Sequence, residues 1–141
     1  MDKETAARRL TRRSFDRIRS RGDTALFGGH TTQDMKNQLG VPKGRALADF
    51  LPTITIKAKD FANEITNFNT KQNHLRTELG ITGEHVKNNR EVRQLLVDRG
   101  IVPERLPKAQ DVKKVQRRLA SEQKKLPGQV EGLEGTAGPG A

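Results

Sequence analysis

The sequence predicts an all-α fold: a small multi-helix domain of about five or six helices with a disordered Gly-rich C-terminal tail. Three observations carry this. Apolar residues recur at helical spacing in several stretches, whereas strand-like alternation runs only from Thr53 to Lys57. Hydrophobic residues make up 32% of the 141 and charged residues 31%, so the core is thin, enough for stripes between helices but not for a sandwich or barrel. Pro and Gly fall between the periodic stretches, where they end helices.

The first stretch, 1–22, is expected as a basic N-terminal arm or helix. Arg8, Arg9, Arg12, Arg13, Arg17, Arg19 and Arg21 stand there among few apolar residues, Leu10, Phe15 and Ile18. On a helix Arg8, Arg12 and Arg19 share one face, with Arg9, Arg13 and Arg17 beside them. Arginine forks match phosphate oxygens bidentately, so these residues are candidate nucleic-acid contacts; a solvated helix face is the plain alternative.

A helical domain is expected over 23–126. Leu26 and Phe27 form a small apolar knob before Gly28-Gly29, and Thr31 or Thr32 is placed to cap a short helix through Leu39. Met35 and Leu39 face inward on it, and Gly40 suits its end. A second short helix is expected over Arg45–Leu51. The pair invites comparison with a helix-turn-helix, but ALADFL offers a single Asp where a recognition helix presents several polar side chains.

The densest stripe belongs to the next helix, Thr53–Asn69, the expected spine. Ile54, Ala58, Phe61, Ala62, Ile65 and Phe68 fall on one face, and Lys57, Lys59, Asp60, Asn63, Glu64 and Asn67 on the other. Thr53 is the expected N-cap after Pro52. Asn67–Gly80 reads as a polar joint with at most a turn of helix at Leu75–Leu79. A further helix from about Gly83 to Arg99 is expected, capped by Thr82 and ended by Gly100, with Val86, Val92, Leu95 and Leu96 inward and Asn88 and Asn89 facing water.

Pro103 and Pro107 break the chain before a last helix, Lys108 to about Lys125. Val112, Val115, Leu119 and Leu126 form a narrow stripe that either docks or pairs between copies, so a homo-oligomer through Val112, Val115 and Leu119 is one expectation. Lys113, Lys114, Arg117 and Arg118 make a second basic face. The tail 127–141 is Gly-rich and expected disordered.

Composition narrows the function classes. The absence of Cys removes disulfides, thiolate nucleophiles and zinc–thiolate sites. There is no run of about 18 apolar residues and no signal-peptide h-region, so a cytoplasmic protein without membrane attachment is expected. Lys and Arg total 27 against 17 Asp and Glu, a net +10 that attracts polyanions through phosphate neutralisation without reading base sequence. His30, His74 and His85 lie in separate segments at no ligand spacing and read as surface residues. Neither a nucleophile elbow nor a phosphate-binding loop occurs, since Gly44 precedes Arg45 and not Lys-Ser/Thr. No catalytic residue, cofactor or metal is expected, and the chain reads as a non-enzyme.

Three long phrases resemble the bacterial DNA-damage-inducible protein D (DinD) family: RIRSRGDTALFGGHTTQDMKNQLGVPKGRALADFLPTITIKAKDFANEITNFN, ITGEHVKNNREVRQLLVDRGIVPERLP and AQDVKKVQRRLASEQKKL. They span about Phe15 to Leu126 and are similar to the family's C-terminal half. Members carry before it a Bro-N-type domain, a presumed DNA-binding module absent here, so a truncated, split or separately encoded half is expected. The resemblance implies a damage (SOS) response protein that modulates recombination without catalysis, with a recombinase filament on single-stranded DNA as partner. Two other functions compete with it: a structural or oligomerisation domain, and a sequence-specific regulator using Thr32–Leu51.

Overall fold

Thr11 opens the first helix with a capping box: its hydroxyl accepts from the Ser14 N–H at 3.2 Å, and Ser14 Oγ accepts from the Thr11 N–H at 3.2 Å. From there the computed structural model describes residues 10–125, apart from the side chains of Val112, Lys113 and Val115. Five α-helices and two 3-10 turns follow, with no strand among the described residues: α1 (Arg12–Leu26), α2 (Thr32–Leu39), a turn at Leu47–Phe50, α3 (Thr53–Gln72), α4 (Glu78–Asp98), a turn at Pro103–Arg105, and α5 (Val112–Lys125). The all-α expectation holds. Arg8, Arg9, Leu126 and the tail 127–141 lie outside the described residues.

The chain divides into two units, Met1–Lys108 and Ala109–Ala141. In the first, α4 packs against both α1 and α3. One apolar cluster joins these helices through Leu26, Ala58, Ala62 and Val92. A second gathers Phe27, Met35, Leu47 and Leu51 under α2 and the first 3-10 turn. The Leu26–Phe27 knob therefore feeds both clusters, and neither side chain retains any exposure. Gly28, at φ 67°, turns the chain between them in a conformation that costs a Cβ-bearing residue.

Several helix limits match expectation. Thr31 caps α2, exchanging hydrogen bonds with Asp34, and Gly40 ends it in the left-handed conformation. Those bonds, first from the Thr31 N–H, hold the Asp34 carboxyl below its ordinary value. Gly100 (φ 80°) follows α4, with the Ile101 N–H reaching back to the Leu96 carbonyl at 2.9 Å.

Other expectations are corrected. The expected helix Arg45–Leu51 is only the 3-10 turn Leu47–Phe50, because Leu51 precedes Pro52 and takes the extended conformation that proline imposes (ψ 143°). The helix-turn-helix reading therefore has no second helix to place in a groove. Pro52, not Thr53, is the N-cap of α3, and it supplies no side-chain bond. This helix also runs beyond Asn69 into the expected polar joint, to Gln72, before His74 reverses the chain at φ 52°. Helix α4 begins at Glu78, since Thr77 rather than Thr82 caps it by accepting from the Gly80 N–H at 3.0 Å. The last helix starts at Val112, not Lys108, following Asp111, a residue type favoured just before a helix.

The rotation of α3 also differs. Its buried face is Thr55, Ala58, Ala62 and Thr66, while Ile54, Phe61 and Phe68 are 41%, 55% and 67% exposed. Small residues face inward because α4 lies close to α3, and a Phe on that face would hold the two helices apart. On α4, Leu95 is likewise turned outward.

Candidate nucleic-acid interface

The close approach of α1 to α4 begins at Gly22, buried inside α1. A Cβ built there would stand 2.3 Å from His85 Cδ2, 2.4 Å from His85 Nε2 and 2.8 Å from Asn89 Nδ2. Gly22 thus makes the space in which His85, Asn88 and Asn89 sit. All three are buried, which corrects the expectation of a surface histidine and water-facing amides.

They are buried because they are bonded. Thr66 Oγ1 donates its one proton to the Ala62 carbonyl at 2.9 Å and accepts from Asn88 Nδ2 at 3.0 Å. It also lies 2.6 Å from His85 Nδ1, so that nitrogen must be the donor and the ring the Nδ1–H tautomer. Asn89 Nδ2 donates to the His85 carbonyl at 2.9 Å and faces Nε2 at 3.4 Å. Burial pushes the His85 pKa down; Asp23 raises it and Lys59 lowers it further. Those two groups pair with each other across α1 and α3 at 3.3 Å. The hydrogen bonds fasten α3 to α4, with α1 closing over them at Gly22.

Above it, α1 and α4 form the walls of a groove of about 610 Å³. Arg21, Ser20 and Thr24 line it from α1, Val86, Arg90 and Arg93 from α4, and Gly28-Gly29 close one end. Arg93 is fixed: its guanidinium donates to Glu104 at 2.5 and 2.9 Å and to the Leu26 carbonyl at 3.1 Å. A Cβ at Gly28 would come within 2.7 Å of that guanidinium, so glycine there keeps the space open. Burial works against the charge of Glu104, but the Arg93 fork outweighs it and holds the carboxyl below its ordinary value. Arg21 and Arg90 are exposed and have no ion-pair partner among the described residues. Two exposed forks on neighbouring helices, neither in a direct ion pair among the described residues though Arg21 also acts on the Glu78 carboxylate, thus open onto one groove, a geometry suited to phosphate oxygens.

The arginines singled out from the sequence have different fates. Arg12 and Arg13 are exposed in the first turn of α1. Arg17 is committed to Glu78, donating at 3.0 and 2.5 Å, which raises its own pKa and lowers that of Glu78. Arg19 pairs with Asp16 on its own helix. Among the described ones, Arg21 alone reaches the groove. In the second unit Lys114, Arg117 and Arg118 are exposed on α5, and Leu119 is half exposed. Nothing in the charge pattern of the sequence sets Arg90 and Arg93 apart, although EHVKNNREVR places them one turn from each other. No helix among the described residues is long and apolar enough to cross a membrane.

Fold and groove together define a small, strongly basic, all-α domain. Within that class the chain belongs to the DinD C-terminal domain family, a family of DNA-damage-inducible proteins, whose family model matches residues 3–115. No curated protein and no solved structure matches it.

Proposed function

We propose that this domain is a non-enzymatic binding module of the DNA-damage (SOS) response that acts on nucleoprotein, the recombinase filament on single-stranded DNA. The observation that carries the reading is the pair of exposed guanidiniums, Arg21 and Arg90, without a direct ion pair among the described residues, on one groove of a chain with net charge +10. Phosphates entering that groove release counterions, which drives attachment without reading base sequence. Ile54, Phe61 and Phe68, seven residues apart on the outer face of α3, supply the apolar surface that contact with the coating recombinase requires. Membership of a damage-inducible family supports the same reading.

The test starts from a recombinase filament assembled on a labelled single strand. Adding the domain should change the amount of recombinase retained on the strand. Both Arg21→Ala/Arg90→Ala and Phe61→Ser/Phe68→Ser should abolish the change. If filament occupancy is the same with and without the wild-type domain, the reading is wrong.

A further inference from the structure

A second cavity, of about 380 Å³, lies between α1 and α3 with α4 as its floor. We propose that it receives one unpaired nucleobase of a bound single strand, an inference that rests on the nucleic-acid reading above. Phe15 stands at its edge, 49% exposed and in no aromatic or cation contact among the described residues. Across from it Asn63 and Asn67, one turn apart on α3, carry amides with no hydrogen-bond partner among the described residues. Thr70, one turn further along the same wall, has a buried hydroxyl that is also unpartnered. Ile18 supplies an apolar surface and His85 the floor.

The chemistry of the walls selects the ligand. A carboxylate or phosphate would need a free cation inside the cavity, yet Arg19 is paired with Asp16 and His85 is held neutral by burial and by its bonds to Thr66 and Asn89. What remains is a flat aromatic ring facing neutral amides that both donate and accept. The edges of a nucleobase are neutral and mix donors with acceptors, and carboxamides pair with them bidentately. The face of a base stacks on Phe in a sequence-tolerant way. The volume is near the lower end of the roughly 300–1,000 Å³ typical of ligand pockets, suited to a single base and not to a pair. A base inside a duplex presents neither face, so the site favours single strands. Arg12 and Arg13 are exposed in the first helical turn of α1, just before Phe15, and offer charge to the backbone of such a strand.

The discriminating experiment compares a labelled single strand with an otherwise identical strand made abasic throughout, which keeps every phosphate and removes every base. Wild type should bind the abasic strand on the order of tenfold more weakly at fixed salt. Phe15→Ala and Asn63→Ala/Asn67→Ala should erase that difference, and Phe15→Tyr should keep it. Arg21→Ala/Arg90→Ala should weaken both strands by the same factor. These side chains are exposed or half exposed, and unchanged circular dichroism would show the variants fold. Equal, salt-sensitive binding of both strands by wild type overturns the base site and leaves the phosphate groove intact. Loss of recombinase contact in Phe15→Ala without any base preference would make the cavity a protein contact and likewise overturn it. No binding of either strand at low salt overturns both proposals.

Discussion

Gly22→Ala adds one methyl group at the point where α1 meets α4. Nothing there can accept it. The new Cβ would sit 2.3 Å from the His85 ring and 2.8 Å from the Asn89 amide, well inside contact distance. Alanine is better than glycine in a helix interior by about 1 kcal/mol, which by itself would stabilise α1. Against that, overpacking costs about 1–3 kcal/mol. Displacing His85 from Thr66 leaves buried donors unsatisfied at a further cost of about 1–3 kcal/mol. The net expectation is destabilisation by about 1–5 kcal/mol, a fall in Tm of roughly 5–30 °C for a domain of this size. Gly83→Ala is the matched control, since Gly83 also lies inside a helix but has no neighbour within 4 Å of an added Cβ. It should be stabilising by up to about 1 kcal/mol. Thermal unfolding followed by far-UV circular dichroism reads both. If Gly22→Ala is as stable as Gly83→Ala, the close packing of α1 on His85 is refuted.

The buried network and the Arg93–Glu104 pair make three further claims. Thr66→Val removes the acceptor for both Asn88 and His85 and should cost about 2–3 kcal/mol in urea unfolding, whereas Thr55→Val removes a buried hydroxyl without a partner and should be neutral or stabilising by about 1 kcal/mol. Because the folded His85 pKa lies below its ordinary value, the unfolded chain binds the extra proton first, so stability should fall as pH drops below about 6.5, by at most about 1.4 kcal/mol per unit, and level off below the folded pKa. His85→Gln should flatten that limb in a stability–pH series; an unchanged limb would show that another group causes it. Glu104→Gln leaves the Arg93 charge uncompensated beside the groove, and should steepen the salt dependence of single-strand binding by about 0.7. A slope equal to that of wild type would mean that Arg93 does not reach phosphate.

Local chemistry was legible at some helix ends and not at others, since Thr53 and Thr82 are not the caps expected of them. Thr31 and Gly40 bound α2 as read, and Gly100 follows α4. What was not legible was which face of a helix points inward. Of the expected α3 stripe, Ala58 and Ala62 are buried and Ile65 packs against their cluster, but Ile54, Phe61 and Phe68 turn outward because helices can approach closely only over small side chains. Ile81, His85, Asn88, Asn89 and Val92 are also a helical stripe, hidden because its middle is polar. A polar side chain can join a core only if its partners are present, and Thr66 and Gly22 lie far away in sequence. For the same reason the candidate site was half read. Arg21 was visible as part of a charge run, but Arg17 and Arg19 look identical until Glu78 and Asp16 are seen to neutralise them. Arg90 gains its importance only from the groove that α1 completes.

The most direct test of phosphate attachment at the α1–α4 groove is the affinity for a labelled single strand, followed by fluorescence anisotropy from low to physiological salt. Wild type should lose affinity linearly on a log–log plot, and Arg21→Gln/Arg90→Gln should reduce the slope by roughly 1.4, about 0.7 for each phosphate no longer neutralised. Arg17→Gln, whose guanidinium is already occupied by Glu78, should leave the slope unchanged. Equal slopes for wild type and the double variant, or no binding at low salt, would contradict the assignment of the groove.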